Sequence, residues 1–195
     1  MSFLQITGLS ARLKGTGFPI LRDVSLSVAA GKVHGLVGES GAGKSMIGKA
    51  VLGILPPSVE ITKGAIDLDG VDLLRLPPAE RRRRIGATAA LIPQDPLTAL
   101  NPSRRIGPQI TNRLVDILGW DRARAKARAL ELLHEVQIPD PERVLRSYPH
   151  ELSGGMRQRV LIASAFAAEP KLIVADEPTT ALDVTVQKQI LKLIA

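Results

Sequence analysis

The chain has 195 residues and a mass of 20.9 kDa, with 45% hydrophobic and 23% charged residues, which is enough apolar material for one well-buried domain and excludes disorder as its general state. It contains no cysteine, so a disulfide scaffold and a cysteine metal site are excluded, and no run approaches the ~20 apolar residues that a bilayer-spanning helix needs. A net charge of +7 suits nucleic acid, anionic lipid or nucleotide phosphate alike, while an aromatic content of only 3% argues against a stacking platform for single-stranded nucleic acid.

In chain order, residues 4–28 are short apolar segments broken by Gly15, Gly17 and Pro19, a pattern of strands and a hairpin. Val33-His34-Gly35-Leu36-Val37 then reads as a short buried strand, residues 38–44 as a loop, and residues 45–55 as a helix stopped by Pro56-Pro57. Residues 64–68 form a further strand with a turn at Asp69-Gly70. The run Arg81-Arg82-Arg83-Arg84 reads as a solvated loop, and the basic stretch 122–128 as a solvated helix face. A minority reading keeps both runs near an anionic membrane surface. Residues 89–92 are a core strand ending at Pro93-Gln94. Helical spacing of apolar residues then marks 109–118, 122–136 and 154–168, which suggests a helical subdomain inserted into an α/β core. Leu172-Ile173-Val174-Ala175 returns to the core as a buried strand, and Asp183 caps a last amphipathic helix carrying Val186, Ile190 and Leu193. The expected organisation is one domain over 1–195: a β region and first part of the core at 1–108, helices at 109–168, and a return to the core at 169–195.

Four motifs carry chemistry. Gly38-Glu39-Ser40-Gly41-Ala42-Gly43-Lys44-Ser45 has the G-x-x-x-x-G-K-[ST] spacing between a strand and a helix. Such glycines let successive backbone N–H groups converge on phosphates at a helix N-terminus. Lys44 is placed to reach the β and γ phosphates of a nucleotide and the Ser45 hydroxyl to ligate Mg²⁺, with Met46 closing the phosphate-binding stretch. An ordinary glycine turn capping a helix is the bland alternative. Asp176-Glu177 stands at the end of an apolar strand, where open α/β sheets bind ligands. Asp176 would hold Mg²⁺, and Glu177 would orient and deprotonate an attacking water. The bland alternative for such a pair is a helix cap or a solvated turn. The amide of Gln94, after the strand at 89–92, can accept from a water and offer its oxygen to Mg²⁺. Ser153-Gly154-Gly155 places a hydroxyl and unhindered N–H groups at a helix start, which is an anion site by geometry; the alternative is a Ser N-cap with glycines for close packing.

Together with Ala181-Leu182-Asp183 these motifs resemble those of ATP-binding-cassette (ABC) ATPases over essentially the whole chain. Tyr148-Pro149-His150-Glu151-Leu152-Ser153-Gly154-Gly155-Met156-Arg157-Gln158-Arg159 resembles the ABC signature, and residues 92–102 resemble the glutamine loop. Residues 95–102 and 175–187, with Met156, are similar to the ATPase subunits of bacterial dipeptide, oligopeptide and nickel importers. The resemblance implies a P-loop NTPase (RecA-like) α/β core with an N-terminal antiparallel β region and an inserted helical subdomain. It also implies ATP and Mg²⁺ as ligands and a peripheral location on the cytoplasmic face of the membrane. The implied partners are membrane permease subunits, a second ATPase subunit, identical or related, and, indirectly, an extracytoplasmic solute-binding protein; no nucleic acid is expected. Ser153, Gly154 and Gly155 would clamp the γ-phosphate held by the partner's loop, and Asp183 would line the dimer seam. Where many cassettes carry an adenine-stacking aromatic, this chain has Leu13, with Phe18 as the substitute. The switch histidine of the family lies on a strand beyond the helix that begins at Asp183, whereas His34, His134 and His150 all precede Asp176-Glu177. The chain is therefore expected to be truncated, without that histidine and the last core strands. A soluble ABC protein acting on ribosomes or DNA, and a non-functional fragment, are the alternatives.

Overall fold

The computed structural model describes residues 2–39 and 41–176 and divides into two compact units, Met1–Ile85 and Gly86–Ala195. In the first, β1 (Ser2–Leu13) pairs antiparallel with β2 (Pro19–Ala29) and β3 (Val59–Leu68), and β4 (Val71–Asp72) completes a sheet of order β2-β1-β3-β4. The β3–β4 connection is the Asp69-Gly70 pair, with φ of 54° and 77°. Two consecutive left-handed residues are what a two-residue hairpin needs to match strand twist.

β1 does not alternate evenly. Leu4 and Ile6 are buried, then Leu9 and Ala11, so the inward positions change from even to odd. The change falls at Gly8 (φ 58°), where the register shifts against both neighbouring strands. This is a β-bulge: one additional residue re-aims the rest of the strand. Opposite it, Gly64 (φ 100°) comes so close that a Cβ there would stand 2.6 Å from the Cα of Leu9. Only glycine meets both the angle and the space.

α1 (Lys44–Val51) ends earlier than its apolar spacing suggests. Gly53 adopts φ 66°, its amide donates to Ala50 O at 3.1 Å, and the Ile54 amide donates to Lys49 O at 2.9 Å. This Schellman closure stops the helix before Pro56-Pro57 can do so. The arginine run lies on a helix and not in a loop: α2 (Pro78–Thr88) contains Arg81, Arg82, Arg83 and Arg84. Arg84 is half-buried and donates to the carbonyls of Leu68 and Asp69, which a solvated loop residue would not do. Val33-His34-Gly35-Leu36-Val37 is not a buried strand. It has no regular structure, and Val33 and Val37 are 83% and 99% exposed. An apolar run becomes a core strand only when strands flank it, and no described residue pairs with this one.

In the second unit β5 (Ala89–Ile92) and β6 (Leu172–Ala175) pair in parallel, from Ala89 opposite Leu172 to Ile92 opposite Ala175. β5 is buried at Ala89, Ala90 and Ile92, with Ala90 and Ile92 packed into the core of the helices, whereas β6 is half-buried with Ala175 exposed. Between the two strands run α3 (Pro96–Ala99), α4 (Ile106–Asp116), α5 (Arg122–Glu135), α6 (Pro141–Arg146) and α7 (Gly154–Phe166). Side-chain caps start three of them: Asp121 accepts from the amide of Arg124, Asp140 from that of Arg143 and Ser153 from that of Met156. Ile106, Ile110 and Leu114 of α4, Leu132 and Leu133 of α5, and Val160 and Ile162 of α7 meet in one core. Truncating a buried leucine such as Leu133 costs about 2–5 kcal/mol. Arg128 of α5 pairs with Glu131, Glu135 and Glu169, so the basic stretch 122–128 is partly neutralised within the fold.

Candidate functional site

In the first unit the phosphate loop leads into α1 through two left-handed glycines, Gly41 (φ 83°) and Gly43 (φ 87°). A Cβ on Gly43 would stand 3.0 Å from Leu21 Cδ2 and 3.3 Å from Ile20 O, so the loop seats against the start of β2 at a place where a side chain does not fit. Gly43 also occupies the N-cap, where no side chain caps the helix and no acidic residue stands in the first turn. The positive end of α1 is left to an external anion. Lys44 folds back over the loop, its Nζ donating to Gly38 O and Glu39 O at 2.7 Å each. The ammonium thus sits above the loop, satisfied by carbonyls that a phosphate oxygen can replace. The Ala42 amide bonds Glu39 O at 3.2 Å and closes the turn; Ser45 is exposed and Met46 half-buried on α1, and Ser40 lies outside the described residues. Donors, helix end and glycine angles fit a polyphosphate.

The β1–β2 hairpin borders this loop. Beyond the Arg12–Pro19 pair, the Leu13 amide donates to Phe18 O at 2.8 Å, which places Leu13 and Phe18 opposite each other. Phe18 is 60% exposed, and it stands two residues, or about 7 Å of strand, from the Ile20 carbonyl that meets Gly43. A separate recess of about 470 Å³, lined by Ala50, Val59, Ile61, Leu73, Lys63 and Arg81 among others, contains no residue of the phosphate loop.

In the second unit the two parallel strands bring Gln94 and Asp176 to one sheet end. Their last pair is Ile92 with Ala175, and the Asp176 amide continues the ladder by donating to Ile92 O at 2.9 Å. Gln94 is exposed and Asp176 half-buried at the C-terminal edge, where α/β sheets hold ligands. Glu177 and Asp183 lie outside the described residues. Among the described residues no three His, Cys, Asp or Glu side chains cluster as a metal site. Ser45 in the first unit, and Gln94 and Asp176 in the second, each carry a hard oxygen donor of the kind Mg²⁺ takes.

Ser153, Gly154 and Gly155 begin α7. The Ser153 hydroxyl accepts from the Met156 amide at 3.3 Å, no acidic residue stands in the first turn, and a Cβ on either glycine would meet nothing within 4 Å. Neither glycine has positive φ. Close packing inside the described chain therefore does not account for them. The segment before α7 is braced: Tyr148 stacks on His150 with centroids 5.6 Å apart, the Tyr148 amide donates to Glu151 Oε2 at 2.6 Å, and Arg157 Nε donates to Pro149 O at 2.8 Å. Sequence reasoning passed over Gln109 and Arg113 on α4, which bond the backbone on either side of Gln94. The available signal was a long polar pair four apart on the helix that otherwise buries Ile106, Ile110 and Leu114.

Comparison with known proteins bears on the family and the fold. The probable D,D-dipeptide transport ATP-binding protein DdpD of Escherichia coli (strain K12) is 51% identical over 89% of this chain and 53% of its own length. The dipeptide transport ATP-binding protein DppD of Haemophilus influenzae is 46% identical over 100% of this chain and 59% of its own. The chain thus spans little more than half the length of these relatives. Among solved structures, the dimeric post-hydrolysis state of the ATP-binding cassette MJ0796 bound to ADP and Pi superimposes with a TM-score of 0.85 at 25% identity, covering 98% of this chain and 81% of that one. The fold is that of an ABC ATPase cassette, a P-loop NTPase core with an antiparallel β region and a helical insertion. With the family model for the ABC transporter matching residues 21–180, this chain belongs to the ABC transporter family.

Proposed function

We propose that the chain is the nucleotide-binding and hydrolysing part of an ATPase subunit that powers peptide import through a membrane permease. The observation that carries this reading is the bare start of α7, where Ser153 caps the helix and two glycines face open space that nothing else in the described chain requires. A helix end of this form, on a chain that also holds a complete phosphate loop, supports a site shared between two cassettes. The relatives' names favour a peptide over nickel as the solute. They give no support to a ribosome- or DNA-acting protein.

In this reading the amides of Gly38, Glu39, Ser40, Gly41, Ala42, Gly43, Lys44, Ser45 and Met46 cradle the phosphates of ATP, and Lys44 exchanges its carbonyl partners for β- and γ-phosphate oxygens. Ser45, Gln94 and Asp176 would hold Mg²⁺, which when bound would neutralise charge that develops on the transferred phosphoryl group. Glu177 takes the proton of the attacking water, with Gln94 beside it. Ser153, Gly154 and Gly155 meet the γ-phosphate bound to a second cassette, and Asp183 lines the seam between the two. Permease subunits bind the pair, and a solute-binding protein outside the membrane delivers the peptide. Among the described residues no helix is long and apolar enough to cross a membrane; in this reading the subunit is held at the cytoplasmic face by its permease. The test is reconstitution of the natural-length protein with its permease in vesicles: ATP-dependent uptake of labelled dipeptide is expected, and hydrolysis with no dependence on permease or peptide would refute the reading.

A further inference from the structure

The segment that carries Gln94 leaves the sheet after Ile92, passes through the single turn of α3 and reaches α4. One stripe of α4 holds both ends of it. Near the start of the helix, the Gln109 carboxamide accepts from the Asn101 amide at 2.8 Å and donates to Asn101 O at 3.1 Å and Arg104 O at 2.8 Å. One turn later, Arg113 donates through Nε to Gly86 O at 2.7 Å and through Nη2 to Ala89 O at 2.8 Å, at the root of β5. Residues four apart share a helix face. Ile117 continues the stripe, and a Cβ on Gly86 would stand 2.6 Å from its Cδ1. The helix is thus pressed against the backbone just ahead of β5 and also grips the loop after Gln94.

A guanidinium is a costly group to place here, and burial lowers the pKa of Arg113 by desolvation. Its planar fork suits two fixed carbonyls better than a single ammonium would. Anchorage alone requires only apolar packing, which Ile106, Ile110 and Leu114 already supply. Gln109 and Arg113 add direction. They bond backbone on the two sides of Gln94 and so fix the path of the chain between.

We infer that Gln109 and Arg113 are positioning residues for Gln94, so that the placement of α4 determines where that amide stands at the end of β5 and hence the rate of the hydrolytic step. The inference rests on the ATPase reading above and adds two residues to it that touch neither nucleotide nor metal.

The test uses the natural-length protein with Arg113→Lys and Gln109→Glu. The first keeps a cation but loses the fork. The second keeps the shape and acceptor of the carboxamide but loses its two donated bonds. Each is expected to lower kcat by about tenfold with KM and nucleotide affinity nearly unchanged, and neither is expected to lower it further in a Gln94→Ala background, since residues acting through one group are not additive. Backbone amides of residues 93–104 are expected to exchange hydrogen faster in both variants, while those of α7 are unchanged. Additive losses in the Gln94→Ala background, a Gln94→Ala variant with normal kcat, or unaltered exchange in 93–104 would each overturn the inference. A wild-type protein that hydrolyses no ATP would refute the functional reading instead, and the exchange measurement would still decide whether α4 positions the segment.

Discussion

The backbone amide of Asp176 donates to the carbonyl of Ile92 at 2.9 Å, one step beyond the last paired residues of β5 and β6. The start of the Asp-Glu pair is therefore fixed by a sheet ladder and not by a loop, and it leaves the sheet at the same end as Gln94. A rigid strand end is a suitable mount for a carboxylate proposed to hold a metal ion.

The next residue, Glu177, is the proposed general base. Glu177→Gln keeps size and hydrogen bonding but removes basicity, so hydrolysis should fall by about 10²–10⁴-fold. ATP binding should persist, and the protein should accumulate as an ATP-bound dimer measurable by size-exclusion chromatography with light scattering. Dimerisation independent of ATP would contradict a site shared between two cassettes.

Lys44→Ala should abolish hydrolysis, with a loss of about 10²–10³-fold or more, and weaken nucleotide binding measured by calorimetry. Its present bonds, to Gly38 O and Glu39 O, are exposed, so the fold should lose only about 1 kcal/mol in denaturant titration. A large loss of stability would mean that the lysine serves the loop and not a ligand.

Gly155→Ala separates stability from function. The added methyl has free space within the described chain and replaces glycine near the start of a helix, a change that stabilises by up to about 1 kcal/mol. Thermal melting should be unchanged or slightly higher. Hydrolysis should nevertheless fall by ~10–100-fold, because the methyl enters the space assigned to the second cassette's phosphate. Normal turnover in this variant would remove the reason for assigning that space.

Phe18→Ala should weaken ATP binding by about 1 kcal/mol or more, the usual worth of a base–aromatic stack. Tripolyphosphate, which has no base, should bind the variant as it binds the wild type. Phe18 is exposed, so melting should not move. Equal weakening for both ligands would place the effect in the loop and not at the base.

What could be read from the amino-acid order follows from how local each cause is. The Asp69-Gly70 turn, β5 and the helix beginning at Arg122 are set by neighbours in sequence and were readable to within a residue or two. The end of α1 was not, because Gly53 closes it through its own φ and two backbone bonds, while Pro56-Pro57 gave the louder signal. Val33–Val37 has the composition of a core strand, yet its burial depends on partner strands that composition does not contain. Arg81 to Arg84 looked like loop because charge is easily read and helical continuity across four arginines is not. At the candidate site, motif spacing singled out Lys44, Gln94, Asp176 and the Ser153 turn as candidates. Gln109 and Arg113 escaped because their partners are backbone carbonyls and amides, which leave no trace in residue identity.

The bulge at Gly8 has a consequence for how β1 tolerates change. Before it the even positions face the core, and after it the odd ones do. A charge introduced at Ile6 would be buried and one at Gln5 would not; past the glycine, Leu9 is sensitive and Ser10 is tolerant. Sensitivity to substitution along this strand thus changes parity at one residue. Removing Gly8 would bring Leu4, Ile6, Leu9 and Ala11 onto a single uninterrupted alternation.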